Sequence, residues 1–149
     1  MITNVCMLVL KQHDLVKGIE FYQSIGLRLK FHLKDSWAEF EIGGIKIGLC
    51  PTSQEPVDRV SGIVFQVSDL RQFYKDHKST IFFKGEPVEK VHGIMATIKD
   101  PSGNLIDLYE PTPQKVQDLV KKVVDEDKQG VQTAHFGDAF AAFGEGVQA

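Results

Sequence analysis

The residues best suited to chemistry in this 149-residue chain lie on short alternating stretches, not in one compact motif. Trp37, Glu39 and Glu41 alternate with Ala38, Phe40 and Ile42, so a strand here puts the first three on one face. Further on, Leu105, Asp107 and Tyr109 alternate with Ile106 and Leu108. If Ile106 and Leu108 face helices, then Asp107 and Tyr109 face inward. The same parity turns Lys46, Gly48 and Cys50 inward, and likewise Gly62, Val64 and Gln66. Aromatic surface, room beside two glycines and scattered acid suit a small organic ligand, cationic or aromatic. No Ser-His-Asp order, nucleophile elbow, phosphate loop or CxxC points to another chemistry.

Each of these residues also has a plainer role open to it. Asp107 can bond a neighbouring backbone amide or a lysine such as Lys46. Trp37 can be core or interface. His92, beside Gly93, reads as an exposed loop histidine, and His13, His32, His77 and His135 share no ligand spacing. Cys6 and Cys50 form no metal pattern and no disulfide framework, and read as buried hydrophobes.

Bulk properties bound the answer. Hydrophobic residues make up 42% and charged residues 25%, the balance of a globular chain. A net charge of −3, with basic residues dispersed, argues against a nucleic-acid partner. No apolar run approaches a bilayer span, and Met1 to Val5 lacks the basic start of a secretory signal. The expectation is a cytoplasmic, reduced protein without a membrane partner.

The elements that must position these residues recur. Ile2 to Leu10 reads as a strand, Lys11 to His13 as a polar break, and Asp14 as the cap of a helix through Tyr22 that Gly26 ends. Strands Leu27–Leu33, Trp37–Ile42 and Ile45–Cys50 follow, the last two joined by the Gly43-Gly44 hairpin signal. Pro51 to Arg59 reads as a linker. A strand at Gly62–Val67 then precedes a helix from Ser68-Asp69, strands near Ile81–Lys84 and at Ile94–Lys99, an Asp100–Gly103 turn, and a last strand at Leu105–Tyr109. Both helices begin Asp-Leu and contain Phe-Tyr. Aligning Leu49 with Leu108 sets Gly44 on Gly103, Ile47 on Ile106 and Gly48 on Asp107. Internal duplication organises the chain: module one at 1–51, a linker at 52–60, and module two at 61–111. Residues 112–149 form a helical extension. Its first stripe, Val116, Leu119, Val120, Val123 and Val124, runs to Asp125, and its second is Phe136, Phe140 and Phe143. These stripes must pack on the chain's own modules or on a second subunit, so a homodimer is the expected partner state.

Asp100-Pro101-Ser102-Gly103-Asn104-Leu105-Ile106-Asp107-Leu108, preceded by His92-Gly93, resembles the signature of the vicinal oxygen chelate superfamily. That superfamily includes glyoxalase I, bleomycin resistance proteins and extradiol dioxygenases. Asp14-Leu15 to Phe21-Tyr22 with Ile25-Gly26-Leu27 resembles its other familiar segment. The resemblance implies an α+β fold of two βαβββ modules forming an incomplete barrel around a cleft. It places the metal ligands of the metalloenzymes near Asn4, with Cys6 the nearest competitor for that first place, and near Gly48, Gly62 and Asp107. Glycine offers no ligand, Asn4 is a weak one, and only Asp107 is anionic, whereas a catalytic metal wants about three protein ligands. The expectation is therefore a bleomycin-resistance-like binder of a small ligand without a cofactor. Its ligand-binding candidates are Asp107, Trp37, Tyr109, Glu39, Gln66 and His92. The alternative is a divalent-metal lyase, isomerase or dioxygenase of the glyoxalase type. It would hold metal through Asp107 and Asn4, or through Asp107 with Glu39, Glu41 or another subunit.

Overall fold

The computed structural model describes residues 1–128. The second phenylalanine stripe, Phe136 to Phe143, lies outside the described residues. The chain divides into two compact units, one of Met1–Ser61 with Lys99–Asn104, the other of Gly62–Ile98 with Leu105 onward.

In the first unit β1 (Leu8–Gln12), α1 (Leu15–Ser24), β2 (Arg28–Leu33), β3 (Trp37–Ile42) and β4 (Ile45–Pro51) follow one another. Their sheet has the order β1-β4-β3-β2, with β1 parallel to β4 and the remaining pairs antiparallel. Asp14 caps α1 by accepting the Lys17 N–H at 3.0 Å. The helix buries Leu15, Ile19, Phe21 and Tyr22, and the sheet offers Leu10, Ala38, Phe40, Ile47 and Leu49, all buried. Each large apolar side chain so buried stabilises by about 1.5–3 kcal/mol. The opposite face of this sheet is left for other work.

The expected first strand, Ile2 to Leu10, is displaced in the structure. Residues 1–7 form no strand, while Lys11 and Gln12, read as a polar break, belong to β1. The reason is a partner that sequence order hides. Gln12 is fully buried and donates from Nε2 to Asp100 Oδ2 at 2.7 Å, and its Oε1 accepts from Ser102 Oγ at 3.1 Å. A satisfied amide is tolerated in a core where an unsatisfied one is not.

The second unit contains most of β5 (Arg59–Gln66), then α2 (Leu70–His77), β6 (Phe82–Phe83), β7 (Val88–Lys90), β8 (Gly93–Lys99), β9 (Asn104–Pro111) and α3 (Pro113–Lys128). The sheet order is β5-β9-β8-β6, with β7 also on β8. Asp69 caps α2 through the Gln72 N–H, and Glu110 Oε1 accepts the Leu70 N–H at 2.8 Å, so the first turn has two acceptors. The architecture is α+β, with two open sheets and three helices among the described residues. Two sequence expectations are corrected here: β5 begins inside the expected linker, and β7 was not anticipated. Of the α3 stripe only Val123 is buried, while Val120 and Val124 are exposed. Lys115 pairs with Glu89, and this lowers the Glu89 pKa through the hydrogen bond first and the charge second.

Candidate functional site

The free face of the first sheet collects chemistry. Register pairs Phe31 with Glu39, Leu33 with Trp37, Glu39 with Gly48, and Val9 with Gly48. Directly paired residues project to the same side, so Val9, Phe31, Leu33, Trp37, Glu39 and Gly48 share this face. Three are exposed apolar side chains, Phe31 at 44%, Val9 at 47% and Leu33 at 56%. Glu39 lies among them at 9% exposure. The alternation that predicted Trp37 and Glu39 together holds here. Phe31 was missed because a bulge between Leu29 and Phe31 shifts the parity of β2.

Trp37 lies across Gly48. A Cβ built at Gly48 would fall inside the volume of the indole ring, at Cζ2 and Cη2. Gly48 therefore does not leave an empty place; its missing side chain is where the indole sits. On the same face Glu41 pairs with Lys30 at 3.3 Å, and Lys11 Nζ approaches Cys50 Sγ at 3.5 Å.

The second unit sets out a different group. Asp107 on β9 is buried and accepts from Thr97 Oγ1 at 2.7 Å. Burial raises its pKa above the ordinary value of 3.8, against smaller lowering effects from the Thr97 bond and the Lys84 charge. Neither Thr97 nor Lys84 was anticipated as its neighbour; the plainer role foreseen for Asp107 named Lys46. Tyr109 donates to the His92 carbonyl at 3.0 Å, its ring centroid is 5.3 Å from that of His92, and burial raises its pKa. His92 lies in the turn before β8, as its glycine neighbour suggested, but at 1% exposure it is buried and not the exposed histidine expected. Gln66 is exposed on β5.

The resemblance puts the superfamily's metal ligands near Asn4, Gly48, Gly62 and Asp107, and each unit can be inspected by itself. Asp14 and Asp69 cap equivalent helices, and Gly62 stands seven residues before the second cap. Seven residues before the first cap stands Met7, at the threshold of β1. Asn4 lies outside the strand and is exposed, its Oδ1 accepting the Val5 N–H. On the first unit Gly48 has no side-chain donor; on the second Gly62 has none, and the Asp107 carboxylate is bonded to Thr97. Among the described residues no three His, Cys, Asp or Glu side chains converge as a metal set.

The Asp-Pro-Ser-Gly-Asn turn has a separate role. Asp100 Oδ1 accepts the Ser102 and Asn104 N–H groups at 2.9 and 3.0 Å. Its Oδ2 accepts from Gln12 Nε2, Tyr22 Oη and Asn104 Nδ2 at 2.7 to 2.9 Å. Burial, then the nearby Asp100 charge, pushes the Tyr22 pKa well above its ordinary value. The most recognisable motif of the chain is a structural knot.

Comparison with known proteins agrees with this geometry. No family model matches the chain. An uncharacterized protein of Mycolicibacterium smegmatis is 27% identical over 110 residues, 72% of this chain and 94% of that protein. A glyoxalase/bleomycin resistance protein/dioxygenase from Nocardioides superposes with a TM-score of 0.61 at 19% identity, over 74% of this chain and 85% of its own. The fosfomycin resistance protein FosX of Listeria monocytogenes gives 0.64 at 21% identity, over 77% and 97%. A variant of FosX is known in complex with Mn(II) and a dihydroxypropylphosphonic acid. A bleomycin-binding protein complexed with bleomycin gives 0.55 at 21% identity, over 74% of this chain and all of its own. The chain has the vicinal oxygen chelate fold of the glyoxalase/bleomycin resistance/dioxygenase superfamily.

Proposed function

We propose that this chain is a binding protein which holds a small organic ligand against the Trp37 face of its first sheet, without the superfamily's usual metal site. One observation carries the reading. The indole of Trp37 fills the side-chain volume of Gly48, one of the four places where the superfamily's metalloenzymes draw their ligands. An aromatic ring there offers contact area and no lone pair for a metal. Exposed Phe31, Leu33 and Val9 extend the same surface, and such apolar patches mark binding sites. The bleomycin complex of a neighbour of this fold supports sequestration as a use of the scaffold. On the second unit, taken by itself, Asp107, Tyr109, His92 and Gln66 are proposed as ligand contacts, and the proposed working unit is a cytoplasmic homodimer.

The chain has one tryptophan, so its fluorescence reports this face directly. A small-molecule panel screened by melting temperature should return compounds that stabilise the protein by mass action and also quench Trp37. Stabilising compounds that leave Trp37 emission unchanged, and act equally on Trp37→Phe, would place binding elsewhere and defeat the proposal. Sedimentation equilibrium should return twice the chain mass; a monomer at all concentrations would remove the dimer.

A further inference from the structure

We infer that the Trp37 face selects an organic cation, with the Glu39 carboxylate as its counter-charge. This rests on the binding reading above and adds the ligand's chemical class. Glu39 is 9% exposed and sits on the free face between Phe31 on β2 and Gly48 on β4. Among the described residues no donor bonds it and no cation pairs with it. Its oxygens nevertheless keep contact with solvent, since they are not among the sealed-off polar atoms. Among the described residues, no charged group elsewhere on the face forms an ion pair with it. Glu41 holds Lys30, Lys11 approaches Cys50, and Lys46 stands opposite Glu41 in the register, fully in solvent.

A carboxylate held at 9% exposure without a partner has given up part of its hydration at some cost. A bound cation would offset that cost, and the surroundings say which kind. Within the first sheet its register neighbours are an indole, a phenyl ring, two aliphatic side chains and a glycine, and the other carboxylate on the face, Glu41, is already paired with Lys30. A divalent metal ion needs several such ligands, so it is poorly served. A weakly hydrated ammonium carried on an organic frame is well served, because aromatic faces attract it and the carboxylate neutralises it. Glu39 thus sets specificity, and Trp37 and Phe31 supply the walls.

An isosteric pair of probes tests this. One is 4-(trimethylammonio)phenol, which carries a fixed positive charge; the other is 4-tert-butylphenol, of the same shape and uncharged. Titration of the intact chain, read by Trp37 emission, should show the charged probe binding about tenfold more tightly. Glu39→Gln should bring the two probes to near-equal affinity, and Glu39→Asp should keep part of the preference. Should Glu39→Gln fail to fold, as judged by circular dichroism, the ratio in the unmodified chain decides alone. Equal binding of both probes to the unmodified chain would overturn the cation assignment and leave the binding reading intact. Failure of both probes to perturb Trp37 would also overturn it, while the binding reading would still rest on the panel screen.

Discussion

At the scale of single residues, two buried aspartates do opposite things. Asp100 is surrounded by five donors, so its removal leaves Gln12, Tyr22 and Asn104 without their acceptor. Asp100→Ala is expected to cost about 3 kcal/mol or more, a fall in melting temperature of roughly 6–12 °C. Thermal unfolding followed by circular dichroism checks it; a loss under about 2 °C, or about half a kcal/mol, would show that the knot contributes little. Asp107 has one donor and a raised pKa, caused first by burial. A carboxyl whose pKa rises on folding binds its proton more tightly in the folded state. It is therefore without cost below its ordinary value of 3.8, and becomes a growing cost as pH climbs from there through the raised value. Asp107→Asn removes that titration and keeps an acceptor for Thr97. Its stability relative to the unmodified chain should therefore improve between about pH 4 and pH 7. Melting curves across that range check it; a constant difference would mean that Asp107 carries no such cost.

At the scale of elements, the free face depends on the pairing of β3 with β4. Gly48→Ala places a methyl group in the indole's volume, and overpacking of this kind costs about 1–3 kcal/mol. The ring must then swing toward solvent, so Trp37 emission should move to longer wavelength. An unchanged spectrum would show that the ring does not rest on Gly48. This face was legible in the sequence because period-two alternation survives on β3, where Trp37 and Glu39 fall together. On β2 the bulge between Leu29 and Phe31 breaks the alternation, so the place of Phe31 on this face was not legible in the sequence. The start of β1 was misread for another reason. Gln12 looks like a loop residue until Asp100, far along the chain, is seen to accept its amide hydrogen. His92 was misjudged likewise, because burial by Tyr109 is a tertiary fact. Local chemistry wrote the helix caps Asp14 and Asp69 plainly; long-range partners wrote the rest.

At the scale of the whole molecule, the duplicated pattern of strand, capped helix and strands was readable from turn residues and caps, and the fold it implied is the fold found. The central proposal is that the Trp37 face binds an organic ligand and that the chain retains no metal ion. Metal analysis tests it most directly. The chain and its Asp107→Ala variant would be exposed to manganese, iron, nickel and zinc ions, dialysed, and assayed by mass spectrometry. The account expects well under one equivalent of every metal in both proteins. One equivalent retained by the unmodified chain and lost by Asp107→Ala would contradict it.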